Sequence, residues 1–314
     1  MLVISLLAGL ALLLIGGDLF VRGAVSVARK LGVSPLLIGL TLVGFGTSTP
    51  ELVTSLQAAM AGSPGVATGN VVGSNIANIL LILGLAAMLK PVLVDSGALK
   101  RDGAVLAASA LVCLAVVMSG VLDRLSGLVF IAGLAAYLGF AIWQERRAPA
   151  SIAPVDSMQT PQAEPHGVLA LVLTVGGLAL TIFGASLLID GAVGLATQFG
   201  ISETIIGLSI VAIGTSLPEL VTSVVAALRG QNDVAFGNIV GSNIYNVFGI
   251  LGVTALVQPI PVPREIIAVD IWVMLAATGA LIVLARTGHR ITRGEGALML
   301  AGYAGYTAWL ASQV

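Results

Sequence analysis

The sequence has very little charge. Only 9% of its 314 residues are Asp, Glu, Lys or Arg, and the net charge is −1, whereas an average soluble domain is about 25% charged. A folded surface in water needs more charge than this, so the composition excludes a cytosolic enzyme and a disordered chain. It also excludes a nucleic-acid-binding protein, because there is no overall basic field to attract phosphates.

Cysteine and histidine are also scarce. The single cysteine, Cys113, lies in an apolar run, so neither an internal disulfide nor a thiolate metal cluster is possible. The two histidines, His166 and His289, fall in predicted loops, and the sequence contains no H-E-x-x-H motif. An intramembrane hydrolase would need a nucleophile–base pair or a metal-bound water. We therefore expect no enzyme and no resident cofactor.

Apolar residues dominate instead. They make up 57% of the chain, the mean hydropathy is +1.06, and about ten runs are long enough to span a bilayer. The runs are continuous rather than alternating, which disfavours a β-barrel. The sequence thus predicts an all-α integral membrane protein with ten transmembrane helices, at residues 2–21, 35–60, 66–89, 103–121, 125–143, 168–189, 203–228, 234–257, 266–285 and 295–312.

The basic residues predict the orientation of these helices. Loops after odd-numbered helices carry all the Lys and Arg residues except Arg124 and Arg264, which follow even-numbered helices. Because Lys and Arg are enriched in cytoplasmic loops, both termini are expected outside and the odd loops inside. Residues 144–167, the long polar stretch between helices 5 and 6, are then a cytoplasmic linker.

The two halves of the chain are related in sequence. Residues 34–91 align with residues 202–259 at a constant offset of 168, and 32 of the 58 positions are identical. The chain therefore divides into an N-terminal five-helix repeat (1–143) and a C-terminal one (168–314), joined by the linker. Since five is odd, the second copy crosses the bilayer in the opposite sense, as in secondary transporters with a site at the midplane.

Two glutamates occupy the same place in both copies. Glu51 and Glu219 lie about midway along apolar helices, and no Lys or Arg lies deep enough in any run to pair with them. An ionised carboxylate buried in lipid costs several kcal/mol unless a cation or hydrogen-bond donors compensate it. A protonated glutamate between helices would explain one such residue, but two at symmetric positions favour cation ligands.

Hydroxyl and amide groups surround both glutamates. Thr47 and Ser48 precede Glu51 by four and three residues, so their oxygens share its helix face. Ser74 and Asn78 form a second oxygen face, and Thr215, Ser216, Ser242 and Asn246 repeat the pattern. Taken singly, such residues more often hydrogen-bond one helix to another than bind an ion. Together they offer oxygen alone, which selects hard cations such as Ca²⁺ or Na⁺. Pro50 and Pro218 predict kinks that expose backbone carbonyls four residues earlier, near Gly46 and Gly214.

The duplicated motifs resemble those of a known family. GTSTPEL and GTSLPEL, each followed by GN-x-VGSNI, are similar to the two α-repeats of the sodium/calcium exchanger family, especially its prokaryotic members. The resemblance implies an antiporter in the cytoplasmic membrane, with helices 2, 3, 7 and 8 around the ion sites. It also implies alternating access, in which helices 1 and 6 slide across that core.

The resemblance implies a set of ion ligands as well. The glutamates would be shared by Ca²⁺ and Na⁺, and the hydroxyls, amides and two backbone carbonyls would complete the sites. One position departs from the pattern, since many members carry Asp where this chain has Asn246. The expected ligands are Gly44, Thr47, Ser48, Glu51, Ser74, Asn78, Ala212, Thr215, Ser216, Glu219, Ser242 and Asn246.

The function expected from these features is Na⁺/Ca²⁺ exchange that normally extrudes Ca²⁺. The expected partners are the two ions and the lipid bilayer, without nucleic acid, and the protein is expected to work as a monomer. Two alternatives use the same scaffold: Ca²⁺/H⁺ exchange, with the glutamates carrying protons, and K⁺-dependent Na⁺/Ca²⁺ exchange. A cation channel is a third, because oxygen-lined pores also conduct ions.

Overall fold

The structure is a computed structural model that describes residues 2–31, 34–62, 64–147, 167–198 and 212–312. Within these ranges each of the ten predicted runs is helical, which confirms the all-α membrane fold. Two of the ten are interrupted, at Ser48 and at Ser216. The helices are α1 (Leu2–Leu31), α2 (Leu36–Thr47 and Thr49–Met60), α3 (Pro64–Leu89), α4 (Ser96–Val117), α5 (Arg124–Arg147), α6 (Gly167–Gln198), α7 (Ala212–Thr215 and Leu217–Leu228), α8 (Asn232–Val257), α9 (Ile266–Arg286) and α10 (Arg293–Ala311).

Length and composition identify most of these helices as spans. Six are long and apolar enough to cross a bilayer, namely α1, α3, α5, α6, α8 and α9, and the bent helix α2 makes a seventh. The first part of the predicted run 203–228 and most of the linker 144–167 lie outside the described residues. Those two predictions can therefore be compared with the structure only in part.

Helices α3 and α8 form the centre of the molecule. In the most apolar stretch of each helix, 78% of the residues of α3 and 83% of those of α8 are buried inside the protein, against 22% in α5. These three stretches are all apolar enough to span a bilayer, so hydropathy does not separate a central helix from a lipid-facing one. The small residues and asparagines of α3 and α8 instead allow close contact with neighbouring helices on all sides.

Helices α1 and α6 pack directly on each other. Their contact contains glycines at which a side chain would collide with the opposite backbone. A Cβ atom at Gly23 would lie 2.4 Å from the amide nitrogen of Thr174, and one at Gly177 would lie 2.4 Å from that of Phe20. The pair contacts α7 partly through an ion pair between Asp18 of α1 and Arg229, which follows α7.

Two short antiparallel ribbons join the halves. β1 (Val92–Leu93) pairs with β4 (Arg290–Ile291), and β2 (Val121–Leu122) pairs with β3 (Ile260–Pro261). Each ribbon therefore joins one loop from each half. The first contains the loops after α3 and α9, and the second contains the loops after α4 and α8. In both cases the charge count assigns the two loops to the same side of the membrane.

The relation between the halves extends beyond the aligned segments. Asp102 of α4 and Asp270 of α9 are also 168 residues apart, and each accepts a hydrogen bond from a tyrosine on the following helix. The Tyr137 hydroxyl lies 3.3 Å from Asp102, and the Tyr306 hydroxyl lies 2.7 Å from Asp270. Asp102 has a second partner, because Arg101 donates two hydrogen bonds to its carboxylate.

Candidate functional site

Breaks in α2 and α7 place the two glutamates. The helical φ, ψ pattern stops at Ser48 (−82°, 10°) and at Ser216 (−88°, 7°), and α2 bends there by 44°. A new helix then starts, with proline at its second position and Glu51 or Glu219 at its third. Each carboxylate thus lies in the first turn of a helix, where free N–H groups and the helix dipole favour negative charge.

The glutamates of the two halves are linked across the centre. The Ser216 hydroxyl donates to Oε1 of Glu51 at 3.0 Å, and the Ser48 hydroxyl donates to Oε1 of Glu219 at 2.8 Å. Both carboxylates are 1% exposed. Each half therefore contributes a donor to the other half's acid, and the two acids belong to one site. The second oxygen of each, Oε2, has no hydrogen-bond partner.

The remaining predicted hydroxyls lie at the same centre. Ser74 and Ser216 have their hydroxyl oxygens 3.3 Å apart, and Ser242 donates to the carbonyl of Gly44 at 3.1 Å. Thr47 donates to the carbonyl of Val43 at 3.0 Å. Thr215 is buried at the break in α7. Ala212 begins the short segment before that break, and only its backbone is described.

The predicted amides, Asn78 and Asn246, are oriented by a second asparagine pair. The amide nitrogen of Asn246 donates to Oδ1 of Asn75 at 3.0 Å, and that of Asn78 donates to Oδ1 of Asn243 at 3.2 Å. Their own Oδ1 atoms are buried and have no hydrogen-bond partner. Because each nitrogen is held elsewhere, each oxygen is left free for another ligand.

Both amides also start an irregular stretch of helix. Asn78–Leu83 and Asn246–Leu251 are π-helical, at equivalent positions in α3 and α8. Single π-helical turns inside α-helices are often found at functional sites.

Sequence reasoning missed four asparagines of this centre, Asn70, Asn75, Asn238 and Asn243. Asn70 donates to the carbonyl of Glu51 at 3.1 Å and to the Ser55 hydroxyl at 2.8 Å, and Asn238 repeats both contacts with Glu219 and Ser223. The signal was available, because all four lie in the duplicated GN-x-VGSN motif. Their role was not visible because it is to hold other site residues in place.

The arrangement is suited to hard cations. Among the predicted ligands four buried oxygens lack a donor, two on carboxylates and two on amides, and they form two symmetric pairs. No Lys, Arg or His pairs with either glutamate within the described ranges. Buried acceptors in native proteins nearly always have a partner. A cation bound here would supply that partner and neutralise the acids, and the all-oxygen set matches Ca²⁺ or Na⁺.

The chain matches known proteins along nearly its whole length. The family described as sodium/calcium exchanger protein matches residues 1–143 and 169–311. A putative antiporter, CaxA, from Alkalimonas amylolytica is 41% identical and aligns over 96% of both chains. The sodium/calcium exchanger MaX1 from Methanosarcina acetivorans is 35% identical over 96% of both.

A solved structure shows the same fold. The sodium-calcium exchanger NCX_Mj, in crystals soaked with Na⁺ and Ca²⁺, is 34% identical to this chain, with a TM-score of 0.86. The match covers 98% of this chain and 97% of that one.

Proposed function

This chain belongs to the sodium/calcium exchanger family, and we propose that it exchanges Na⁺ for Ca²⁺ across the cytoplasmic membrane of a prokaryote, normally extruding Ca²⁺. Na⁺ moving down its gradient drives Ca²⁺ out through a site that never opens to both sides at once. The ions compete because they share the same two carboxylates. A bound ion shifts the inward–outward equilibrium only by its different affinity for the two states.

One observation supports this proposal above the others. Four oxygens of the predicted ligands have no donor and are supplied symmetrically by the two halves. Two of them belong to carboxylates that no described basic side chain neutralises. Two negative charges match one Ca²⁺ or two Na⁺, and Ca²⁺ takes about six to eight oxygen ligands. The nearby hydroxyls and carbonyls supply the additional oxygens.

We assign twelve residues to the ion sites. Glu51 and Glu219 are shared by both kinds of ion, and the hydroxyl and amide side chains of α2, α3, α7 and α8 complete the coordination. The carbonyls of Gly44 and Ala212 contribute at the two helix breaks. The remaining side-chain ligands are Thr47, Ser48, Ser74, Asn78, Thr215, Ser216, Ser242 and Asn246.

The proposed arrangement in the membrane follows from the repeat. Residues 1–143 and 168–314 form the inverted halves, residues 144–167 are a cytoplasmic linker, and both termini face outside. The ribbons support this, because each pairs two loops that the charge count assigns to the same side. The closely packed pair α1 and α6 is proposed to slide across the centre as the site alternates, with the monomer as the working unit.

Purified protein in liposomes tests the proposal. Ca²⁺ uptake driven by a Na⁺ gradient is measured for wild type, Glu51→Gln and Glu219→Gln. Each substitution removes one of the two charges that balance Ca²⁺ and should abolish Na⁺-driven uptake. Glu265→Gln, at an exposed position before α9, is the matched control and should transport normally. Normal transport by both site variants would refute the site assignment.

The same liposomes decide between coupling ions. Uptake that requires Na⁺ and is unchanged by K⁺ supports the proposed exchange. Uptake driven by a pH gradient alone, with Na⁺ absent, would establish Ca²⁺/H⁺ exchange instead. An absolute requirement for K⁺ would establish K⁺-dependent exchange, and flux without any counter-ion would establish a channel.

A further inference from the structure

We propose that a cavity between α4 and α9 binds an anionic phospholipid from the cytoplasmic leaflet. The cavity has a volume of about 300 Å³ and opens at the end of the bundle where α4 begins and α9 ends. Three residues at this end, Lys100, Arg286 and His289, can hold a phosphate. Its deeper wall contains Gly103, Ala104 and Ala107. This inference does not depend on which ions the protein exchanges.

The order of residues along α4 matches the order of groups in a lipid. Lys100, Gly103, Ala104 and Ala107 follow one another at intervals of three, one and three residues, so they line one face of the helix. That face is cationic at the helix end and small and apolar further in. A phosphate beside Lys100 and Arg286 would place its acyl chain along the small residues.

The neighbouring loops hold the His289 backbone next to the segment that leads into α4. β1 pairs with β4, and the amide of Val94 donates to the carbonyl of His289 at 2.9 Å. His289 has a φ of +51°, and it is the single non-glycine residue with positive φ among those described. Such backbone is uncommon outside glycine and marks positions fixed by their surroundings.

No ion pair joins Lys100, Arg286 or His289 to an acidic residue among the described residues. The Asp95 carboxylate accepts the amide of Ala98 at 2.8 Å and caps α4, and Asp102 is engaged by Arg101. Basic pockets between membrane helices on the cytoplasmic side are typical sites for anionic lipid headgroups. The charge count assigns the loops after α3 and α9 to that side.

The fold itself does not require this gap. At the equivalent positions of the other half, 168 residues later, Gly103, Ala104 and Ala107 become Ile271, Trp272 and Leu275, and Lys100 becomes Ala268. A second cavity, beside Pro64 and Gln258, has no charged residue in its lining. The combination of cations and small residues is therefore specific to the α4–α9 side.

Lipid binding to the purified protein tests the inference. Retention of phosphatidylglycerol is titrated by native mass spectrometry, with phosphatidylcholine and inorganic phosphate as the other two probes. Each basic residue near a membrane surface changes anionic-lipid affinity about fivefold. We expect Lys100→Gln/Arg286→Gln to lower phosphatidylglycerol affinity about 25-fold. The control Arg124→Gln/Arg264→Gln removes equal charge from the opposite face and should leave affinity within twofold.

A second variant tests the apolar part of the cavity. Ala107→Phe fills the groove without altering charge, and it should lower phosphatidylglycerol affinity as well. Equal retention of phosphatidylcholine and phosphatidylglycerol would overturn the inference, as would equal losses in the two charge variants. Displacement of the lipid by millimolar inorganic phosphate would assign the cations to a soluble anion and also overturn it.

Discussion

Asn75→Ala should weaken Ca²⁺ binding although Asn75 is not among the proposed ligands. In the structure Asn75 accepts the amide hydrogen of Asn246 and thereby keeps Oδ1 of Asn246 free for the ion. Without Asn75, that N–H group is buried and unpaired, which costs about 1–3 kcal/mol. The amide of Asn246 then favours turning its nitrogen towards another acceptor, and its oxygen leaves the site.

The size of the effect follows from that cost. If the orientation that binds the ion is disfavoured by 1–3 kcal/mol, its population falls about 5- to 150-fold, and the apparent Kd rises by the same factor. Calorimetric titration of Ca²⁺ in detergent, without Na⁺, measures this directly. The mirrored variant Asn243→Ala should act similarly through Asn78.

A double-mutant cycle separates positioning from general damage. In an Asn246→Ala background there is no amide to orient, so adding Asn75→Ala should change Ca²⁺ affinity little, and the coupling energy should be about 1–3 kcal/mol. Asn232→Ala, at the start of α8 and outside the site, is the matched control. Additive effects, or an Asn75→Ala variant with wild-type Ca²⁺ affinity, would refute the reasoning.

Three further predictions concern stability. Gly177→Ala should separate α1 from α6, because its Cβ would lie 2.4 Å from the backbone nitrogen of Phe20, and thermal unfolding should show a loss of about 1–3 kcal/mol; Gly139→Ala, with nothing within 4 Å, should not. In the same assay Tyr306→Phe should lower the stability more than Tyr137→Phe does. The reason is that Asp102 keeps its hydrogen bonds to Arg101, whereas Asp270 loses the hydrogen-bond donor that the structure gives it. Equal losses of stability would contradict this. Ca²⁺ at about 100 times its Kd should stabilise the protein by about 2.7 kcal/mol, and a variant lacking both site carboxylates should show no such gain in melting temperature.

The sequence was sufficient for the membrane fold and for most of the constellation of polar residues. Hydropathy located ten helices because a bilayer imposes the same length on every span. The exact duplication of GTS-x-PEL and GN-x-VGSN placed Glu51 and Glu219 as partners. Proline two residues after Ser48 and Ser216 predicted the helix breaks, and the structure places both breaks at those serines.

Only the tertiary structure decided which groups meet. The donors to each glutamate come from the opposite half, and the asparagines that orient Asn78 and Asn246 lie on the other central helix. Spacing along the chain reports neighbours on one helix, whereas these contacts join residues more than 160 positions apart. Likewise, hydropathy does not distinguish an apolar helix that faces lipid from one that faces protein, since both environments exclude water. Packing alone therefore set α3 and α8 at the centre and left the gap between α4 and α9.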